Sequence, residues 1–249
     1  MLPAATGWNK YRIRLVNFEG MMIVTIDGPA GSGKSTVAQR LARRLGIAYL
    51  DTGAMYRAVA FKALQDGIDL DDAAALARLA RDMEIRFEPG QSSQRVIVNG
   101  VDVTQGIRSM QVNESTPFVA KVPQVREALV DKQRQLGAQL GSLVAEGRDQ
   151  GSVVFPGADV KFVLEAQIAR RAERRYSEMR SAGHDVSYET VLANLEQRDR
   201  GDQRHWLGLL QSGAAVRVDT TTMDADEVVE YLYEQVKKRQ RQQQVTGDR

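Results

Sequence analysis

Cysteine is missing altogether from this chain of 249 residues. That excludes disulfides, thiolate metal sites and cysteine nucleophiles, and it fits a reducing, cytoplasmic setting. No apolar run approaches the length of a membrane span, so no membrane partner is expected. Residues 1–20 (MLPAATGWNKYRIRLVNFEG) lack the apolar centre of a secretory signal. Charge of one sign is lacking too: 34 lysines and arginines against 32 aspartates and glutamates leave a formal net charge of +2. So small an excess makes no case for bulk binding to nucleic acid. Where the arginines cluster matters more than their sum. The chain has no N-K-x-D segment of the kind that reads guanine in GTPases, and no internal repeat.

What is there is ordinary in bulk and specific in detail. Hydrophobic residues make up 43% and charged residues 27%, as in a soluble globular protein long enough to bury a sizeable core. Strand-like and helix-like stretches alternate, which predicts a mainly parallel α/β sheet. Met22–Ile26 reads as the first strand and Lys34–Leu45 as a helix stopped by Gly46. Ile47–Leu50 reads as a second strand, and Thr52 as the cap of the next helix. Asp71–Met83 has helical spacing. The texture then changes to short β-forming runs at Glu84–Phe87, Arg95–Val98 and Val101–Val103, with the tight-turn pair Asn99-Gly100 between the last two. Pro123 is placed to begin a helix carrying Arg126 and Arg134.

Core strands are expected at Leu143–Ala145, Val160–Leu164 and Val216–Asp219, and a last amphipathic helix at Asp224–Lys238. The expected organisation is a core of residues 22–83 and 141–238 and an inserted subdomain at 84–140. Within the core, residues about 170–205 form an arginine-rich segment. Residues 1–21 read as a disordered N-terminal extension, with the functional domain beginning near Met22, and residues 239–249 as a solvated polar tail.

Gly28–Ser35 reads G-P-A-G-S-G-K-S and fits G-x-x-x-x-G-K-[ST]. Glycines let backbone N–H groups turn toward phosphate oxygens, and the following helix offers its positive end. The expected phosphate ligands are Gly28, Pro29, Ala30, Gly31, Ser32, Gly33, Lys34, Ser35 and Thr36. Lys34 adds a full charge near the β- and γ-phosphates, and the Ser35 hydroxyl is placed to meet Mg²⁺. Asp27 and Glu146 are candidates to act on the metal through water. The loop follows a strand and opens a helix, as phosphate binding requires. A nucleoside triphosphate is therefore the expected ligand.

Ligands of open α/β sheets sit beyond the carboxyl ends of the strands. Asp51-Thr52-Gly53, with Tyr56 and Arg57 one turn on, follows one strand end, and E-G-R-D (Glu146–Asp149) follows another. Arg57, Arg148 and Asp149 are expected to converge near the loop, the two arginines on an anionic second substrate. R-R-A-E-R-R (Arg170–Arg175) and R-D-R-G-D-Q-R-H (Arg198–His205) are expected to form a mobile cover. Such a cover excludes water and delivers positive charge to the transferred group.

Taken together, G-P-A-G-S-G-K-S-T, D-T-G-A-M-Y-R, V-R-E-A-L, E-G-R-D-Q-G-S-V-V-F-P, V-K-F-V-L, R-A-E-R-R and R-D-R-G-D resemble bacterial cytidylate kinase, from about Met22 to Tyr233. The resemblance implies a three-layer, adenylate-kinase-like P-loop kinase fold with an inserted monophosphate-binding subdomain and an arginine-rich lid. It implies transfer of the γ-phosphoryl group of ATP to CMP or dCMP with Mg²⁺, by a monomer with no nucleic-acid partner. Arg57 and Arg148 would hold the acceptor's phosphate, with Thr52 nearby. Arg126 and Asp149 would read cytosine, and Tyr56, Arg198 and Asp202 would lie near the sugar and phosphates. Lys34, Arg57, Arg148 and Arg198 are the expected catalytic charges, and Arg174 the expected lid contact to ATP.

Two positions depart from the family's pattern. Pro117 stands where a serine is usual, so Ser115 or Thr116 substitutes there or a base contact is missing. His205 stands where a lid arginine is usual, so Arg204 takes that role or one phosphate contact is weaker. Two rival readings stay open on the residues alone. One is a P-loop kinase with UMP or AMP as acceptor; the other is an ATP-dependent nucleic-acid-binding protein.

Overall fold

The structure is a computed structural model that describes residues 21–88, 94–181, 183–202 and 204–247. Residues 1–20 of the expected N-terminal extension, and residues 89–93 between the first two expected β-forming runs, lie outside the described residues.

Strand β1 (Ile23–Asp27) runs into the glycine loop, which opens helix α1 (Lys34–Leu45). Gly46, at φ 70°, ends α1 by donating its N–H to the Ala42 and Arg43 carbonyls. Strand β2 (Ala48–Asp51) then leads directly into α2 (Thr52–Gln65). The cap of α2 is Asp51, not Thr52: its carboxylate accepts from the Ala54 N–H at 2.9 Å. Both residues are good caps, and the aspartate reaches the free N–H first. Helix α3 (Ala73–Asp82) is capped in the same way by Asp72.

Strands β3 (Ile85–Glu88), β4 (Arg95–Val98) and β5 (Val101–Asp102) follow. Helices α4 (Met110–Ala120) and α5 (Pro123–Leu140) come next, then β6 (Leu143–Glu146) and β7 (Val160–Glu165). The arginine-rich stretch forms α6 (Ile168–Ser181) and α7 (Tyr188–Asp202), followed by α8 (Arg204–Gln211). The chain ends on β8 (Val216–Asp219) and α9 (Ala225–Gly247). Asp224 begins α9 with a reciprocal cap: its carboxylate accepts from Asp226 and Glu227 N–H, and Glu227 accepts from Asp224 N–H. The segment expected as a polar tail continues α9 as far as Gly247.

The chain divides into two compact units. Among the described residues, one comprises Asp51–Gln139; the other comprises Met21–Leu50 and the residues from Leu140 on. The first therefore takes in α2 and α3 as well as the segment from residue 84 where the sequence texture changes. Its sheet, β3-β4-β5, is antiparallel. Asn99 (φ 48°) and Gly100 (φ 82°) make the two-residue hairpin that the Asn-Gly pair predicts. Its core joins Met55 and Val59 of α2, Leu76 of α3, Val96 of β4 and Leu129 of α5.

The second unit holds a five-stranded sheet in the order β2-β6-β1-β7-β8. Strand β1 pairs in parallel with β6 and β7, and β7 with β8. β1 is the middle strand, and Val24 through Asp27 are buried on both of its faces, as a parallel sheet covered on two sides demands. Leu41 and Leu45 of α1 and Leu232 and Val236 of α9 pack on the sheet through Ile26, Val144 and Phe162. A smaller cluster joins α6 to α7 through Ala172, Val191 and Leu195, with Ala30 of the glycine loop packed against it.

Candidate active site

The glycine loop lies at the carboxyl end of the central strand β1, in the unit with the five-stranded parallel sheet. Gly28, Gly31 and Gly33 all have positive φ, at 140°, 75° and 89°. Gly28 is forced on a second count: a Cβ there would stand 2.1 Å from the Leu164 carbonyl oxygen of β7. Gly28→Ala therefore needs both a strained backbone and a shift of the loop off the sheet. We expect a cost of about 2–3 kcal/mol, or a fall in Tm of roughly 5–10 °C, together with weakened ATP binding. A melting curve identical to wild type would contradict this packing.

Three successive loop carbonyls each accept from a cation. Arg148 Nη1 donates to Gly28 O at 3.0 Å, Lys34 Nζ to Pro29 O at 2.7 Å, and Arg171 Nη1 to Ala30 O at 3.1 Å. The Ser32 hydroxyl also donates to Pro29 O, at 3.0 Å, and the Thr220 hydroxyl lies 3.3 Å from Ser32 O. The loop's carbonyls are thus turned toward protein partners. A peptide plane carries its C=O and the following N–H on opposite sides, so the N–H groups of Ala30, Gly31 and Gly33 point away from these partners, toward a ligand; Pro29, which follows Gly28, has none. Helix α1 begins at Gly33 with no side-chain cap and no acidic residue in its first turn. Its N-terminal N–H groups and positive dipole end suit an anion.

Thr36 is exposed in the first turn of α1, beside Ser35. The Ser35 hydroxyl donates to Glu146 Oε1 at 2.6 Å, and the Tyr49 hydroxyl reaches the same oxygen at 3.4 Å. A hydroxyl and a carboxylate are the hard oxygen donors that Mg²⁺ prefers. Among the described residues no group of three or more His, Cys, Asp or Glu could hold a metal by itself. These residues fit a Mg²⁺ ion, which the Ser35 hydroxyl would hold with the Glu146 carboxylate beside it.

The segment after β6 is fixed from below. Asp27, fully buried at the end of β1, accepts from the N–H of Gln150 at 2.7 Å and of Gly151 at 2.8 Å. Arg148 and the buried Asp149 come immediately before those two donors. Burial pushes the Asp27 carboxyl up from 3.8 to about 6; its two N–H donors and Lys34 oppose the rise, and the charge of Asp149 adds to it. The native state therefore holds this proton at pH values where the unfolded chain has lost it. The Asp27 contribution to stability is present below about pH 4 and is lost as pH rises to about 6. A rise of that size is worth roughly 3 kcal/mol. Urea titrations at pH 4.5 and 7.5 check this: Asp27→Asn should flatten the pH dependence relative to wild type. Equal slopes in the two proteins would contradict it.

Two regions expected to hold ligands also carry protein contacts. Arg174 lies on α6, half-buried, and donates to Thr220 O at 2.6 Å and to Met223 O and Thr220 Oγ1 at 3.2 Å. Burial, and then the charge of Arg170, lower its pKa from the ordinary arginine value. Arg198 is exposed on α7. Asp202 and Arg204 belong to the helical backbone, but their side chains lie outside the described residues, as does that of His205. In the other unit Thr52 is buried and Tyr56 and Arg126 are half-buried. Arg57 donates to Asp51 Oδ2 at 2.8 Å, so the cap of α2 also orients this arginine. Pro117 lies inside α4, exposed. Of its two neighbours, Thr116 turns its hydroxyl back onto Val112 O at 2.7 Å, and Ser115 is buried.

Sequence reasoning missed Arg171 and Asp199, which pair side by side at 3.1 and 2.5 Å. A signal existed. Arg171 lies three residues after Ile168 and beside Ala172, on the apolar stripe of α6 that continues to Tyr176 and Met179.

A family model described as cytidylate kinase matches residues 24–238. The chain belongs to the cytidylate kinase family. Among curated cytidylate kinases, that of Syntrophotalea carbinolica is 44% identical over 220 residues, covering 88% of this chain and 93% of its own. That of Geobacillus kaustophilus is 45% identical, covering 87% of this chain and 96% of its own. That of Bacillus subtilis is 41% identical, covering 90% and 100%. Among solved structures, a shikimate kinase from Bacteroides thetaiotaomicron covers 87% of this chain and 99% of its own, at 11% identity and a TM-score of 0.46. Membership of the cytidylate kinase family makes the chain a nucleoside monophosphate kinase with a P-loop for ATP. None of its described helices is long and apolar enough to cross a membrane.

Proposed function

We propose that this chain transfers the γ-phosphoryl group of ATP to CMP and dCMP, giving CDP and dCDP. The observation that carries the reading is the economy of Glu146–Asp149. Within four residues this segment supplies the carboxylate on Ser35, the guanidinium on Gly28 O and a buried carboxylate at Asp149. One strand end thus serves metal, phosphate and base.

Lys34 and the N-terminal N–H groups of α1 bind the donor's phosphates. Arg148 meets the acceptor's phosphate, which is already ionised and needs no general base. Positioning and charge neutralisation then carry the rate. Mg²⁺, when bound at Ser35, supplies further neutralisation of the phosphate charge. Asp149 accepts from the exocyclic amine of cytosine. Uracil presents a carbonyl at that place, which leaves a buried carboxylate facing another acceptor. The roles that the resemblance implies for Thr52, Tyr56, Arg57, Arg126, Arg174, Arg198, Asp202 and Arg204 belong to the same proposal. So does action on free nucleotides, by a monomer in the cytoplasm.

ADP release from ATP and Mg²⁺, with CMP, dCMP, UMP and AMP supplied separately, tests the reading. Turnover confined to CMP and dCMP is the expected result. Turnover of UMP as fast as CMP would contradict base reading by Asp149, and no turnover with any acceptor would contradict the kinase reading itself.

A further inference from the structure

Of the three cations on the loop carbonyls, Arg171 is held most completely. It is 5% exposed, and besides Ala30 O it donates through Nε to Ala166 O at 2.9 Å. Both terminal nitrogens meet Asp199, at 3.1 and 2.5 Å. A buried guanidinium so paired cannot swing toward a phosphate without breaking its pair with the half-buried Asp199 carboxylate. The loop is fitted to it as well: a Cβ on Gly31 would stand 3.0 Å from both Cβ and the carbonyl oxygen of Arg171.

This fixes one peptide. With Ala30 O held by Arg171, planarity turns the Gly31 N–H away from α6 and into the concave side of the loop. We propose that Arg171, oriented by Asp199, is a positioning residue for phosphoryl transfer that sets the Gly31 N–H against the triphosphate. It is not one of the charges that meets the nucleotide. Asp199 follows Arg198 directly on α7, so the same pair ties the helix carrying that lid arginine to the loop.

The inference rests on the loop's binding ATP, and its test separates that from the choice of acceptor. ATP affinity is measured by calorimetry, without acceptor, for wild type, Arg171→Met, Asp199→Asn and Leu195→Ala. Leu195 is buried in the same α6–α7 contact, against which Ala30 also packs, but is absent from the loop's hydrogen bonds, so it reports loosened packing with those hydrogen bonds kept. Arg171→Met and Asp199→Asn should weaken ATP binding by about tenfold or more, as misplacing one contact does. In the folded fraction, the KM for CMP at saturating ATP should stay within about twofold. Leu195→Ala should lower Tm and leave ATP affinity unchanged. ATP affinity within twofold of wild type in Arg171→Met and Asp199→Asn would overturn the proposal. So would an equal loss in Leu195→Ala. Wild-type enzyme that binds ATP but fails to phosphorylate CMP would sink the acceptor reading and leave this comparison intact.

Discussion

Lys34→Met lowers kcat/KM by about three orders of magnitude, the largest effect expected of any single substitution. The magnitude follows from losing a full charge at a site where removing one neutral donor already costs about 10²–10³ in rate. Lys34 is 8% exposed, and its ammonium donates to Pro29 O inside the loop. Its charge therefore acts with little screening by water. Lys34→Arg should be nearly as damaging, because a planar fork does not replace a compact ammonium among tightly turned carbonyls. Steady-state kinetics with ATP and CMP, alongside thermal melts, check this. A variant within tenfold of wild type would contradict the role.

Arg148→Ala comes next, with an expected loss of about 10²–10³ in kcat/KM for CMP. Arg148 is half-buried, and Nη1 reaches Gly28 O at 3.0 Å. Its segment is held independently, by Asp27 on the N–H groups of Gln150 and Gly151. Removing the side chain should therefore leave the fold intact, with Tm within a few degrees of wild type. Arg148→Lys should recover only part of the activity, since the charge returns without the two parallel donors. Near-normal turnover by Arg148→Ala would contradict its assignment to the acceptor's phosphate.

The places of both residues in the fold were legible because their motifs are local. A strand, three glycines, a lysine and a helix lie consecutively in the chain, and E-G-R-D directly follows a strand. The hairpin at Asn99-Gly100 was legible for the same reason: two adjacent residues decide its conformation. The one-residue offset at the start of α2 shows where local reading loses precision. Asp51 and Thr52 are both competent caps, and which one captures the Ala54 N–H depends on the angle at which the chain leaves β2. The last helix shows a different failure. R-Q-R-Q-Q-Q is polar on all sides, yet arginine and glutamine are good helix formers, and no glycine interrupts α9 before Gly247. Polarity was a poor guide to helicity.

The pair of Arg171 and Asp199 was out of reach for a deeper reason. The two residues are 28 apart in the chain and meet only because α6 packs on α7. Charge alone does not separate a guanidinium that covers a substrate from one that anchors a helix. Arg174, read as a lid contact, carries three hydrogen bonds to the turn between β8 and α9. Its neighbours in R-R-A-E-R-R look the same in composition. Burial distinguishes them, and burial follows from packing.

The central claim is that the γ-phosphoryl group of ATP passes to the phosphate of a cytosine nucleotide. Following the label from γ-³²P ATP in the presence of CMP and Mg²⁺ tests it most directly. The account predicts label in the β-position of CDP, with none released ahead of it as inorganic phosphate. Label appearing only as inorganic phosphate, at the same rate with and without CMP, would contradict it.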